Sequence, residues 1–372
     1  MPNASFSSYL DQHERYVKRS SGGARIKFGY TDLSGLDARR RLLTEAHFVG
    51  CNLSDARFTQ SKLNFATFFN SGLLRADLTY CTLHRADMRG TALWGAKLYG
   101  ADLTGADLRR AALVLSTPGA AFNQQVLPWH SEKIRPGLVT FEEGSLRGAN
   151  LTQAKLDGAV FRGANLTGAS VAGASFQGAN FDGAVISNVD FSQAETDGAS
   201  FDGALGAPTA EAVANASSMK ARIASAERWA KSSGSEGERL VLDGADLRVI
   251  KTGLKNRIIP GASLRDCIAV GVDFSGAVLI GASFDDADLR DANFTGADLR
   301  GVRFRNCRLS QASFYKADLR PMVRANGDRR AVSFSGAQAA RLEATDAKLE
   351  HEAQLSWVQA GRADEAPDTF EI

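Results

Sequence analysis

The sequence predicts an all-β solenoid in two tandem, related lobes, closed by short α-helical caps. Three observations predict it. From Phe48 to Leu113 every fifth residue is large and apolar, as in Phe48, Leu53, Phe58, Leu63 and Phe68. Two places before each sits a small residue, as in Ala46, Cys51, Ala56, Ser61 and Ala66. The pattern returns from Phe141 to Phe201, polar only at Thr196, and from Leu254 to Leu319, undersized only at Ala269.

A period of five fits neither the 3.6-residue helix nor the two-residue strand. It fits short extended sides joined by turns. Within a side, the large residue and the small one share a face, because side chains alternate along an extended stretch. The residue between them, often Asp or Asn, faces out. The last two residues of each unit, often Thr-Gly or Arg-Gly, turn the chain. Stacked turns then hydrogen-bond about 4.8 Å apart. One unit cannot bury its own face, so units must stack.

The elements follow in order. Residues 1–24 are read as an N-terminal cap helix, with Ser8 and Asp11 as a capping box and Leu10, His13 and Val17 on one face. The open end of a solenoid needs cover, because an unpaired edge templates aggregation. Residues 25–113 form array 1. Residues 114–140 break the register and are read as a projecting loop. Residues 141–205 form array 2. Residues 206–238 combine a linker, GAPTAEAVANASS, with a second cap helix over Met219–Lys231. Residues 239–320 form array 3. Residues 321–359 hold an interruption and a C-terminal cap helix, with Leu342, Leu349, Ala353 and Val358 at roughly helical spacing. A degraded last coil is the other reading of that segment. Residues 360–372 are read as a mobile tail.

A duplication lies above the repeat. HERYVKRSSGGAR (13–25) and AERWAKSSGSEGER (226–239) share Glu-Arg, an aromatic (Tyr16, Trp229), a glycine-rich turn and a closing arginine (Arg25, Arg239). RLLTEAHFVGC (41–51) aligns with RIIPGASLRDC (257–267) without gaps. Arg41 and Arg257 both take the small inward position. They are expected either to stack on Tyr16 and Trp229 or to escape from an open end coil.

Units such as ADLTG, ADLRR, GANLT and GADLR resemble the pentapeptide-repeat family, whose pattern is A-(D/N)-L-x-x. The resemblance covers most of residues 28–320. It implies a right-handed, four-sided (quadrilateral) β-helix with four units per coil. Array 1 would then make about 4.5 coils, and the other two roughly three each.

Composition excludes little. The net charge of +2 demands neither a nucleic-acid nor a membrane partner. The N-terminus lacks the basic and apolar regions of a signal peptide, and no apolar run approaches the ~20 residues of a membrane helix. A cytoplasmic, bacterial protein is expected. Cys51, Cys81, Cys267 and Cys307 all take the small inward position, with no CxxC spacing, and read as buried hydrophobes without disulfides. The histidines are scattered and no HExxH, GxSxG or phosphate loop occurs. No catalytic, cofactor-binding or metal residue is assigned, and no enzyme is expected.

The exterior is the better place for function. If residues twenty apart stack, Ser54, Leu74, Trp94 and Val114 make one outward column. Val49, Phe69, Arg89 and Arg109 make its neighbour, and Tyr80 and Tyr99 fall close on another side. Phe69, Leu74, Trp94 and Tyr99 are therefore candidate partner-binding residues. Alternatively the 114–140 loop folds over them, with Phe122 and Trp129 as cover. Trp129 is a candidate contact residue too. In array 3, Arg300, Arg303, Arg305, Arg308 and Arg320 project outward. They offer a phosphate or acidic-partner site at Arg300 and Arg305, or a solvated face balanced by Asp285, Asp286, Asp288 and Asp291.

The first functional reading is a non-catalytic scaffold that binds a protein partner of unknown identity. The resemblance implies an alternative: some members of the family imitate duplex DNA and bind type II topoisomerases. That mimicry needs a dense negative surface. Only residues 141–201 are acidic here, with 3 basic and 7 acidic side chains. Residues 28–113 carry 11 basic and 8 acidic ones, and residues 254–319 carry 9 and 8.

Overall fold

The computed structural model describes residues 3–111 and 138–350. The chain divides into two compact units, Met1–Ala207 and Pro208–Ile372. In the first, helix α1 (Asn3–Val17) leads into β1 (Lys27–Gly29), which pairs in parallel with β2 (His47–Val49). From there single-residue parallel bridges join positions twenty apart: Asp32 with Asn52, Asp37 with Arg57, Leu42 with Lys62, His47 with Thr67. Four five-residue units therefore close each coil.

Each side bonds both to the coil above and to the coil below. Leu53 donates its N–H to the Gly72 carbonyl at 2.7 Å, and Asn52 to the Thr31 carbonyl at 3.0 Å. The turn that follows is closed by the Ala56 N–H on the Leu53 carbonyl at 3.1 Å. Its third residue, Asp55, is left-handed at φ 59°. That is the pattern of a type II turn, which favours glycine there. Yet Asp55, Gln60, Phe65, Asn70 and Arg75 adopt it in succession. The coil above holds them: the Asp55, Gln60 and Phe65 N–H groups donate to carbonyls of Leu74, Thr79 and His84.

The large and small inward residues fill the interior. Leu53, Leu63, Leu73, Leu83, Leu93 and Leu103 are fully buried, as are the alanines and cysteines beside them. Phenylalanines at the large position stack coil on coil. Phe141, Phe161, Phe181 and Phe201 follow at 4.9, 4.7 and 4.9 Å, nearly parallel. All four cysteines are free and buried. Burial pushes the Cys267 and Cys307 thiols upward, so neither is a reactive thiolate.

Arrays 1 and 2 belong to one stack. Lys97 bridges Thr140, Asp102 bridges Ser145 and Asp107 bridges Asn150. The spacing is 43 instead of twenty, an excess of 23 residues. Residues 138–140, expected in the loop, are coil: Val139 is fully buried at a small position and Thr140 carries a bridge. The rest of that expectation, with Phe122 and Trp129, lies outside the described residues, as do Leu113, Val114, Ala353, Val358 and the tail.

The second unit opens with α2 (Ala210–Lys231). The segment expected as linker is mostly helix. Thr209 caps it, its side chain accepting from the Ala212 N–H at 3.2 Å. Alanine-rich sequence with few apolar anchors hid that start. At the other end, Ser8 lies inside α1 rather than capping it. The first coil of this unit is two residues longer, because a 3-10 helix, Leu247–Ile250, bulges from it; Val241 bridges Ser263 and Asp246 bridges Ile268.

The C-terminal segment corrects the expected helix. β3 (Met322–Val323) and β4 (Arg329–Arg330) form an antiparallel hairpin. After it the coil resumes, with Ser333, Gln338, Glu343 and Lys348 bridging Arg303, Arg308, Ser313 and Asp318. The period of five persists as Phe334, Ala339, Ala344 and Leu349. Two alanines at large positions weakened the signal. Leu342 falls at a small position and Leu349 at a large one, and their seven-residue spacing mimics a helix.

The duplication reappears as duplicated contacts. Arg41 Nη1 reaches Asp11 at 2.9 Å and Glu14 at 3.4 Å; Arg257 Nη1 reaches Glu227 at 2.9 Å. Glu14 and Glu227 also accept the N–H groups of Leu42 and Ile258, each at 3.3 Å. Carboxylates of the cap thus hold both arginines, and the expected stacking on Tyr16 and Trp229 is replaced by ion pairs. Arg25 donates to the Glu45 carbonyl at 2.7 Å and Arg239 to the Gly261 carbonyl at 2.5 Å. Gly23 and Gly237 let the chain pass against the cap helix: an added Cβ would lie 2.4 Å from the Tyr16 nitrogen and 2.2 Å from the Ser225 carbonyl.

Candidate functional site

The exterior is built from the residues around each buried leucine. Where a unit reads Asp-Leu-Arg, the flanking side chains share the outer face, two residues apart on an extended strand. Asp107 then takes Arg109 in a two-pronged pair, Nε to Oδ1 at 2.9 Å and Nη2 to Oδ2 at 2.7 Å. Arg89 on Asp87, Arg300 on Asp298 and Arg320 on Asp318 do the same. Asp37 is held by Arg39 in this way, and the hydrogen bond draws its pKa down to about 2. Arg290 is almost wholly buried and pairs with Asp288. This local pairing explains how so many charges sit on the coils with a net charge of +2.

Against that surface the apolar column stands out. Leu74 and Trp94 follow one another on a single side, Arg75 donating its N–H to the Trp94 carbonyl at 2.8 Å. Leu74 is buried and Trp94 half-buried. The Arg75 guanidinium lies 6.0 Å from the Trp94 ring, while it pairs with Asp55 at 2.6 Å. Phe69, on the preceding side, carries Arg89 at 5.2 Å. Tyr99, on the following side, packs edge-on to Tyr80 at 5.6 Å. So Leu74 and Trp94 are brought together, and Phe69 and Tyr99 flank them around the coil.

Arg300 and Arg305 belong to the other unit. Arg300 is engaged by Asp298 at 2.7 Å. Arg305 is exposed, and its backbone N–H reaches Asp285 at 3.4 Å. Arg303 lies 2.9 Å from Asp285 and Arg308 3.8 Å from Asp288. Two exposed aromatics escaped the sequence reading: Tyr30 at 73% and Phe65 at 52%. Both sit at the left-handed turn position, φ 51° and 59°. A large aromatic at a position that favours glycine was the available signal.

Among the described residues no group of three His, Cys, Asp or Glu side chains is placed to hold a metal ion. No helix among them is long and apolar enough to cross a membrane.

A coil of stacked five-residue units with inward Leu/Phe and Ala defines a class, and the comparisons agree with it. A family model described as pentapeptide repeats matches 8 copies, over residues 42–71, 76–113, 145–183, 261–296 and 287–320. The chain thus carries the repeats of the pentapeptide-repeat proteins, which fold as right-handed β-helices. Among solved structures it is similar to QnrB1, a plasmid-mediated fluoroquinolone resistance protein, in trypsin-treated form: 19% identity over 49% of this chain and 90% of that one, TM-score 0.36. It is similar to HetL of the cyanobacterium Nostoc sp. strain PCC 7120, a protein involved in heterocyst differentiation regulation: 20% identity over 89% and 92%, TM-score 0.14. Rfr23 of the cyanobacterium Cyanothece 51142 shares 15% identity over 54% and 99%, TM-score 0.15. No protein of curated function matches the chain.

Proposed function

We propose that this chain is a non-catalytic, protein-binding scaffold: a quadrilateral β-helix in two lobes whose first lobe offers Trp94, stacked on the buried Leu74 and flanked by Phe69 and Tyr99, to a protein partner. The observation that carries this reading is the apolar column itself. The Asp-Leu-Arg units put paired charges on the exterior, so a leucine and a tryptophan in one outward column need another cause. Trp129, a candidate from the sequence alone, belongs to the same proposal. A cytoplasmic location is part of the same reading and is supported by the four free cysteines.

The test is capture by immobilised protein in three forms: the full chain, Trp94→Ser, and a chain lacking residues 115–137. Trp94→Ser is expected to lose a partner that the full chain retains, at an unchanged melting temperature. A fall in melting temperature with unchanged capture would mean that the chain's own loop covers Trp94.

A second reading, modulation of a type II topoisomerase, is favoured only by the acidic stretch 141–201. Supercoiling activity that stays unchanged in a large excess of this protein would eliminate it.

A further inference from the structure

We propose that the β3–β4 hairpin completes a binding site for a phosphate-class oxyanion, lined by Arg303, Arg305, Arg324 and Arg330. The site is independent of the column at Trp94. The hairpin is an insertion that the stack does not need: Arg303 bridges Ser333, thirty residues on, where the bridges of the preceding coil, such as Ser283 with Arg303, span twenty. It nevertheless fits closely on two stacked turn glycines. An added Cβ on Gly301 would lie 2.7 Å from the Met322 Cβ and 3.0 Å from the Arg330 carbonyl, and one on Gly281 would lie 3.2 Å from the Met322 sulfur. That fit places Arg330 against the coil beside Arg303.

The guanidinium of Arg330 is poorly satisfied there. Its Nη1 reaches the Gly281 carbonyl only at 3.5 Å, and its Nη2 is buried without a hydrogen-bond partner. Arg303 donates Nη2 to Ser283 at 2.9 Å, but its buried Nε, though 2.9 Å from Asp285, lacks hydrogen-bond alignment. Burial, and then the like charges of Arg303 and Arg324, hold Arg330 below the usual arginine range; Asp285 opposes them and Arg305 adds to them. Arg303 is thus paired with Asp285 while Arg330, beside it, has no carboxylate within salt-bridge distance among the described residues, and the charges of Arg324 and Arg305 add to theirs. Arg109, Arg300 and Arg320, by contrast, each own a two-pronged aspartate. A buried donor without an acceptor is costly, and an oxyanion supplies acceptors and opposite charge together. Guanidinium groups pair with phosphate through parallel N–H bonds, which suits a tetrahedral dianion better than a single carboxylate.

The experiment titrates the full chain with inorganic phosphate at low salt by calorimetry, with acetate and chloride as controls. Saturable heat is expected for phosphate and not for the controls. Arg324→Gln, on the exposed hairpin tip, is expected to weaken binding by about tenfold or more, and Arg109→Gln in the first unit to leave it unchanged. Phosphate is also expected to raise the melting temperature of the natural chain. Arg330→Gln is expected to melt higher than the natural chain without phosphate and to gain nothing from it. No saturable heat at millimolar phosphate, or equal affinity in Arg324→Gln and the natural chain, would overturn the site. If Arg330→Gln does not fold, Arg324→Gln decides the matter.

Discussion

Ser61 and Ser71 show how much a single inward atom does. Both stand where the repeat asks only for something small. Yet the turns after Ala38 and Phe48 are spanned by their hydroxyls. Ser61 accepts from the Arg41 N–H at 3.0 Å and donates to the Ala38 carbonyl at 2.5 Å. Ser71 accepts from the Cys51 N–H at 3.0 Å and donates to the Phe48 carbonyl at 2.5 Å. Ser71→Ala would leave a buried donor and acceptor unpaired, a cost of about 1–3 kcal/mol in urea unfolding. Ser71→Cys is expected to cost less, because Cys81 already donates to the Phe58 carbonyl from the equivalent position. Sequence made the size of these residues legible, since five-residue spacing forces a small side chain there. Their bonding was not legible, because it depends on which turns fail to close on themselves. The outward direction of Trp94 was legible for the same geometric reason. The guanidinium of Arg75 over its ring was not, because stacking twenty residues apart says nothing about rotamers.

At the scale of elements, the caps carry the sharpest expectations. His13 is fully buried between α1 and the first coil, its Nδ1 accepting from the Ile26 N–H at 3.0 Å and its Nε2 donating to the Thr44 carbonyl at 3.1 Å. Protonation would remove the acceptor. Burial is the largest cause that holds its pKa below 6.5, ahead of the charge of Arg25. The unfolded chain therefore takes up this proton first, so stability is full above about pH 6.5 and falls as pH drops through that value. Comparing urea midpoints at about pH 7.5 and 5.5 should give a smaller difference in His13→Gln than in the natural chain. His47, also held low by burial, keeps part of the slope. Gly23→Ala forces a Cβ to 2.4 Å from the Tyr16 nitrogen. It is expected to destabilise the cap by about 1–3 kcal/mol, seen as faster hydrogen exchange in α1. The paired Glu-Arg and glycine-rich turns marked both caps in the sequence. The ion pairs of Arg41 and Arg257 were not legible, because neither Glu14 nor Glu227 lies near them in the chain. The last coil was missed because alanine at the large position removes the signal that defines a unit.

At the scale of the molecule, the stack tolerates what is inserted between its coils. Phe304 lies 5.2 Å from Phe334 and parallel to it, although the hairpin intervenes in the chain. Deleting residues 321–330 restores the spacing of twenty and is expected to leave unfolding cooperative, with the phosphate response gone. Deleting residues 115–137 restores it between Lys97 and Thr140 and is expected to preserve the β-helix. Cutting through Val139, which is fully buried, is expected not to. Circular dichroism through a thermal scan distinguishes these outcomes. Such tolerance frees the exterior for contact, and Trp94 is the large aromatic of the outward column. Parallel capture by the natural chain and Trp94→Ser, with both melting temperatures recorded, tests this most directly. A partner lost by Trp94→Ser at equal melting temperature is expected. The same proteins retained by both chains would contradict it.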